Sequence, residues 1–367
     1  MIKLSESEND RAKELHDKSV IIAGHTDFQY IVNFKHHQGE HNVYERIVLP
    51  QLIKGGITGF IDHGLTSAVL NSKNESLLNL ETIIRDVEES PEAMLLATSA
   101  DDFVKAKKEK KIAMGICCQG GSRRAVSGLI SGMYKRELNF LSLLHRLGAR
   151  CFQPADNSRN EFVDGCEEPA NAGLSNFGVM AIEEANRVGM LIDVSHMGDQ
   201  GILDCAEISK DPICTSHANP RGVFDIFRNI SDEGIQAIAE TDGIIGFHGM
   251  HYLLCPEDER PTLKHFLKVC KYIEELVGLD HFAIAPDIYA EGTWPKERWK
   301  LLYPNSNATR WLGLGDEWHP PYAETFETYD QWPHSVTKAL VSSGYSDIEI
   351  KKILGENWLR LYKRVWR

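Results

Sequence analysis

Long apolar runs are missing: nowhere does the chain approach the roughly 20 consecutive apolar residues that a bilayer-spanning helix needs. A membrane-embedded protein is therefore not expected. Positive charge is also scarce. Lys and Arg number 40 against 53 Asp and Glu, a net charge of −13, which argues against nucleic acid or an anionic membrane surface as a partner. Cysteine occurs eight times in 367 residues but never as Cys-x-x-Cys, and Cys117 and Cys118 are adjacent. That excludes a zinc ribbon and a disulfide framework, and reads as the reduced thiols of a cytoplasmic protein. No Gly-rich phosphate loop follows any apolar segment, and there is no internal repeat, low-complexity run or linker. The opening residues, Met1-Ile2-Lys3-Leu4-Ser5-Glu6-Ser7-Glu8, are polar and acidic, unlike a secretory signal. What is present, 42% hydrophobic and 25% charged residues, is globular composition, expected as one domain over 1–367.

The most informative stretch is Val20-Ile21-Ile22-Ala23, an apolar run that stops at Gly24-His25-Thr26-Asp27. Residues i and i+2 of a strand face the same way, so His25 and Asp27 can aim at one point beyond the strand end. An imidazole with a carboxylate suits a divalent metal such as zinc. Before it, Ser5-x-x-Glu8 fits a capping box that starts a helix over 9–18; after it, Phe28 to Tyr44 reads as a loop. Further short apolar strands follow at 57–62, 111–118, 149–153, 190–194, 212–215, 243–247 and 281–285. Helical patterns fall at 77–87, 133–147, 177–188, 202–208, 231–241 and 263–277. Eight such strands in alternation with helices predict an α/β fold, a (β/α)8 TIM-type barrel with its chemistry at the carboxyl ends of the strands. The segment from Tyr289 to Trp332 carries five of the seven Trp and is expected as an elaborated loop after strand eight, a candidate lid. Helices from Ser346 to Val365, broken at Gly355, close the chain.

The polar residues cluster at the strand ends: His25 and Asp27 after the first strand, His196 after the fifth, His217 after the sixth, Asp287 after the eighth. Each alone has an ordinary explanation, a hydrogen-bonded structural histidine or a helix-capping aspartate. Together they mark one mouth of the barrel as a metal site.

Several motifs resemble the renal or membrane dipeptidase family of the amidohydrolase superfamily, over most of the chain. They are Gly24-His25-Thr26-Asp27; Gly173-Leu174-Ser175-x-Phe177-Gly178 with Glu184-x-Asn186-Arg187-x-Gly189 through Asp193-Val194-Ser195-His196; Pro212 through His217 with Arg228-Asn229-Ile230-Ser231-Asp232-Glu233; Gly278-Leu279-Asp280-His281 leading to Asp287; and Gly355-Glu356-Asn357-Trp358-Leu359-Arg360. The resemblance implies two zinc ions, one served by His25, Asp27 and Asp287 and the other by His196 and His217. It also implies Asp287 as the catalytic proton carrier and Arg228 as the clamp on a substrate carboxylate.

The chain departs from that family's pattern on the third strand. Gln119 stands in Cys118-Gln119-Gly120-Gly121 where the family has a bridging Glu, so one ion, or a weakly held second, is expected. Cys117, two residues earlier, is an alternative donor. Asp156 stands near the place of the family's substrate-contacting His, and Ala285-Pro286-Asp287-Ile288-Tyr289 replaces Gly-rich, acidic surroundings. His63 and His248, at two further strand ends, are candidate substrate contacts; His36, His37 and His41 are read as solvated or bonded locally. The expected activity is metal-dependent hydrolysis of an amide or peptide bond in a dipeptide or other small carboxylate-bearing substrate. The rivals are a one-metal enzyme on a lactone or cyclic amide, and a barrel retained only as a binding protein. A homodimer stays open.

Overall fold

The structure, a computed structural model, describes residues 4–64, 73–119, 138–256, 258–288 and 322–367. Ser5 caps the first helix, Glu6–Lys18, with the expected capping box to Glu8. The strands are β1 (Ile22–Thr26), β2 (Gly59–His63), β3 (Met94–Leu96), β4 (Ile112–Gln119), β5 (Ala149–Gln153), β6 (Leu191–Asp193), β7 (Ile213–Thr215), β8 (Ile244–Phe247) and β9 (Phe282–Ile284). All of them pair in parallel, in the order β1-β2-β4-β5-β6-β7-β8-β9, and β9 returns alongside β1. The result is the expected eight-stranded, nearly closed barrel with helices between its strands.

The exception is β3. It pairs with residues 112–114 of β4, on the edge that β5 occupies further along, from Ile116 to Gln119. At eight residues β4 is long enough to carry two partners on one side. Neither β3 nor the helix behind it, Ala100–Glu109, was expected, because a three-residue strand shows no periodicity. The expected loop after β1 is instead helical over Gln29–His37, with Ile31, Val32 and Asn33 buried. His36 is correspondingly not solvated: its Nε2 lies 2.5 Å from the buried Asp86. His37 Nδ1 lies 2.8 Å from Asn33 O, one turn back in its own helix, and both His37 and His41 are exposed, as expected. Of the segment after β9, 289–321 lies outside the described residues and takes Trp294, Trp299, Trp311 and Trp318 with it. Trp332 is buried and opens the helix Trp332–Ser342. Among the described residues, no helix is long and apolar enough to cross a membrane.

Strand residues alternate between two apolar clusters, as a pleat with both faces covered demands. Ala23, Phe60, Met114 and Cys118 join the layer under the helices. Ile22, Ile61, Ala113, Cys117, Cys151, Leu191, Cys214 and Ile244 fill the barrel interior, together with Trp358, Tyr362 and Trp366 of the last helix, Asn357–Val365. That helix sits at the amino ends of the strands. Asn357 Nδ2 donates to Leu279 O and Phe282 O, both at 2.8 Å, and Trp358 Nε1 donates to Ile284 O at 3.2 Å. Gly355 makes the turn that admits it, since a Cβ there would stand 2.4 Å from Val20 O. Packing of this helix closes the amino ends; the polar residues gather at the carboxyl ends.

Gly24 shows how tight the seal is: a Cβ on it would lie 2.4 Å from Cζ2 of Trp358. Gly24→Ala is therefore expected to cost about 1–3 kcal/mol, the usual range for overpacking a close-packed core. A lower urea midpoint at an unchanged m-value is the expected readout.

Candidate metal centre

Parallel strands deliver their carboxyl ends to one rim, and here nearly every one ends in a polar group. His25 lies near the end of β1 and Asp27 just beyond it. His63, Gln119, Gln153 and Asp193 are the last residues of β2, β4, β5 and β6. His196, His217, His248 and Asp287 follow β6, β7, β8 and β9. The rings form one cluster. His25 stands 3.6 Å from His217 and 3.8 Å from His63, centroid to centroid, and His217 lies 4.9 Å from His196 and 5.3 Å from His248.

Hydrogen bonds fix which ring nitrogens carry lone pairs. Asp193 accepts from Ser195 N at 3.0 Å, Ser195 Oγ at 2.7 Å, Ser216 N at 2.9 Å and Ser216 Oγ. The Ser216 hydroxyl has one proton and gives it to Asp193, so toward His217 Nδ1, 2.7 Å away, it accepts. His217 therefore carries its proton on Nδ1 and a lone pair on Nε2. His196 Nδ1 faces Asn157 Oδ1 at 2.7 Å and the Asp156 carboxylate at 3.5 Å, which likewise leaves its lone pair on Nε2. The two Nε2 atoms are 2.9 Å apart. Two lone pairs at that distance repel unless a cation lies between or beside them. Two donors each about 2.1 Å from one zinc-like ion stand roughly 3.0–3.4 Å apart.

The carboxylate opposite is prepared in a similar way. His248 Nδ1 accepts from Met250 N at 3.3 Å, so its proton sits on Nε2, which reaches Asp287 Oδ2 at 3.2 Å. Asn219 holds His248 from both sides, accepting from its N–H at 3.2 Å and donating to its carbonyl at 3.0 Å. The other oxygen, Asp287 Oδ1, is buried without a hydrogen bond, 3.2 Å from His25 Nε2. Burial raises the Asp287 carboxyl above its ordinary value. Desolvation, assisted by the Arg228 cation, drives His25 and His196 well below theirs; for His217 desolvation leads, followed by His25 and Arg228. His63 and His248 are pushed down to about 3 by desolvation. His196 and Asp287 both adopt left-handed backbone, φ 69° and 55°, conformations that cost of order 1–3 kcal/mol each and concentrate at functional sites.

The donor set suits a divalent ion. Ligand atoms of His25, His217 and Asp287 lie within 4.8 Å of one another, as do those of His25, Asp27 and His63. Asp287 gathers with His217 as well as with His25, and His25 is common to both groups. Gln119 is buried at the end of β4, in register with Gln153. Arg228 is buried, not a surface ion pair: its Nη2 donates to His217 O at 2.9 Å, its Nε has no partner, and among the described residues no carboxylate pairs with it. Asp156 is half-buried beside His196. His63 and His248 stand inside the imidazole cluster. The Cys117 thiol falls near His63 and Asp193, but burial and Cys151 push its pKa well up, against a free thiolate. Asp193, Ser216 and Asn219 went unrecognised in the sequence; the one signal was the Asp-x-Ser-His run leading into His196.

Two outcomes follow. Ser216→Ala removes the acceptor that orients His217 and is expected to weaken divalent-metal binding about 10–100-fold, as loss of an outer partner usually does, read by zinc titration of the folded, metal-free protein. Metal-free protein should also lose stability as pH falls below about 6.5. Each buried, neutral imidazole has a folded pKa under its unfolded one, so the unfolded state takes up more protons there, at up to about 1.4 kcal/mol per pH unit per group. The raised carboxyls, Asp287 and Asp62 (the latter at about 7 through burial), act oppositely, but five imidazoles outnumber them. Urea midpoints at pH 7 and pH 5 check the sign.

A family profile described as "Membrane dipeptidase (Peptidase family M19)" matches residues 9–299. The chain is 24% identical over 349 residues to the dipeptidase tcpJ of Claviceps purpurea, covering 94% of this chain and 70% of that protein. In fold it is similar to an amidohydrolase from Pseudomonas aeruginosa, with a TM-score of 0.78 and 24% identity over 97% of this chain and 99% of the other. It is also similar to a metallo peptidase from Rhodobacter sphaeroides, solved with a phosphinate mimic of the dipeptide L-Ala-D-Ala, with a TM-score of 0.74 and 16% identity over 95% and 100%.

Proposed function

The chain belongs to the membrane dipeptidase family, and on that premise we propose that it hydrolyses the peptide bond of a small substrate that ends in a free carboxylate, most simply a dipeptide. Membership makes it a metal-dependent hydrolase. The observation that carries our reading is the pair of opposed imidazole lone pairs of His196 and His217 beside the unpartnered Asp287 Oδ1. His25, Asp27, His196, His217 and Asp287 would hold the metal; their imidazole and carboxylate mixture favours zinc. An ion bound there supplies Lewis-acid chemistry, acidifying water and polarising the scissile carbonyl.

The residues divide the remaining work. Asp287 Oδ1 accepts the proton of the attacking water and returns it to the departing amine; burial, which raises its carboxyl, suits it to hold that proton. His248 keeps Oδ2 occupied, so that Oδ1 is the oxygen presented. Arg228, buried with its Nε unpaired, offers its guanidinium to the substrate carboxylate. Asn157, with the Asp156 carboxylate beside it, keeps the His196 proton on Nδ1. Gln119, neutral at the family's bridging position, leaves Asp27 and Asp287 as the anionic donors, which favours one firmly held ion and a weaker second. Free thiols at all eight cysteines support a cytoplasmic setting.

The test is hydrolysis of a dipeptide panel by zinc-loaded protein, with an L,D-dipeptide included because of the mimic bound to the Rhodobacter sphaeroides protein. Arg228→Ala should lower kcat/KM by roughly 2–5 kcal/mol for a free-carboxylate dipeptide, the range for truncating one partner of a buried charge pair. For the corresponding dipeptide amide the loss should be much smaller. Equal losses on both would assign Arg228 a structural role, and no cleavage of any dipeptide would reject the reading.

A further inference from the structure

Resting on the metal-dependent reading above, we propose that His63 is a metal ligand, acting with His25 and Asp27 and supplying the donor that Gln119 lacks. His63 ends β2 with none of its surface exposed. Its Nδ1 lies 3.2 Å from Thr26 O and its Nε2 lies 3.3 Å from Gln153 Oε1, while Gln153 Nε2 donates to Ala155 O at 3.0 Å. A carbonyl thus stands at each end of this row, with one ring and one amide between them.

A neutral imidazole has a single N–H. With the proton on Nδ1, Thr26 O is satisfied and the Nε2 lone pair faces Gln153 Oε1. With the proton on Nε2, Gln153 is satisfied and the Nδ1 lone pair faces Thr26 O. Turning the amide over lets it donate to the ring, but its oxygen then faces Ala155 O. Every tautomer and every amide orientation leaves one pair of acceptors in contact, so the row is one positive centre short. A second ring proton would supply it only by charging a fully buried imidazole whose centroid lies 3.8 Å from that of His25, a costly arrangement in a low-dielectric site. A cation at the ring supplies it directly. The groups to hold one are already there: ligand atoms of His25, Asp27 and His63 lie within 4.8 Å of one another. An imidazole brings no charge, so His63 restores coordination around the ion without restoring the anion that Gln119 gave up. That suits a single ion better than a bridged pair.

Zinc alone is the probe. Metal-free protein is titrated with zinc against a chelator, for the unaltered chain, for His63→Asn, and for His63→Asn combined with Gln119→Glu; circular dichroism and urea midpoints of the metal-free forms establish that each is folded. We expect His63→Asn to weaken binding of the first zinc at least about tenfold, no less than loss of an outer partner does. The added carboxylate should recover most of that affinity. An undiminished affinity in folded His63→Asn overturns the assignment, and a double variant as weak as the single one overturns the compensation by Gln119. Should His63→Asn not fold, a zinc anomalous map of the unaltered protein decides. A peak about 2.0–2.1 Å from a His63 ring nitrogen supports it, and a peak held by His25 and Asp27 without His63 overturns it. Unaltered protein that takes up no zinc instead defeats the metal-hydrolase reading on which this rests.

Discussion

Four donors converge on the Asp193 carboxylate, two backbone amides and two hydroxyls, and the mouth of the barrel takes its arrangement from them. The carboxylate is buried at the end of β6, where it replaces water with these four bonds. Hydrogen bonds to a charged group contribute about 1.5–3 kcal/mol each, and a buried charge left without them is heavily penalised. Two of the donors belong to the segment after β7, so Asp193 ties the two strand ends together. It also commits the Ser216 proton, which in turn commits the proton of His217. A choice of lone pair at His217 Nε2 is thus made two bonds away, by a residue that need touch no substrate.

The same logic of commitment runs around the rim. Met250 N and Asn219 settle His248, His248 settles one oxygen of Asp287, and Asn157 with Asp156 settles His196. At the mouth, what stays unsettled faces the centre: Asp287 Oδ1, the facing Nε2 pair, Arg228 Nε and the His63 row. Concentrating unmet polar capacity at one mouth is how a rigid scaffold prepares a site for a cation and an anionic substrate.

Most of the frame was legible because the parallel barrel writes itself into sequence as short apolar runs that stop at polar residues. His25, His196, His217 and Asp287 stand out at strand ends because those ends are abrupt. Elements whose signals are short or local do not stand out. The three residues of β3 carry no period, and the helix Gln29–His37 lacks a capping side chain at its start, so its aromatic and polar residues resembled a loop. The partner of His36 is Asp86, 50 residues away, which no local pattern encodes. Gln119 drew attention through its sequence neighbours alone, whereas the roles of Ser216, Asn219 and Gln153 depend on the direction of hydrogen bonds between different strands. Direction of that kind exists only once the barrel is closed.

The contact between Gly24 and Trp358 joins the first strand to the last helix, and so bears on the order of events during synthesis. β1 emerges from the ribosome before the other strands, but its second neighbour, β9, follows some 250 residues later, and the indole that packs on Gly24 later still. Until then β1 presents an unpaired, apolar edge, and at the usual 5–20 residues per second that interval lasts on the order of tens of seconds. Ring closure between sequence-distant strands is slow in any case. Between those two points the nascent chain carries an open sheet, and its need for chaperone protection should be greatest just before the helix Asn357–Val365 appears.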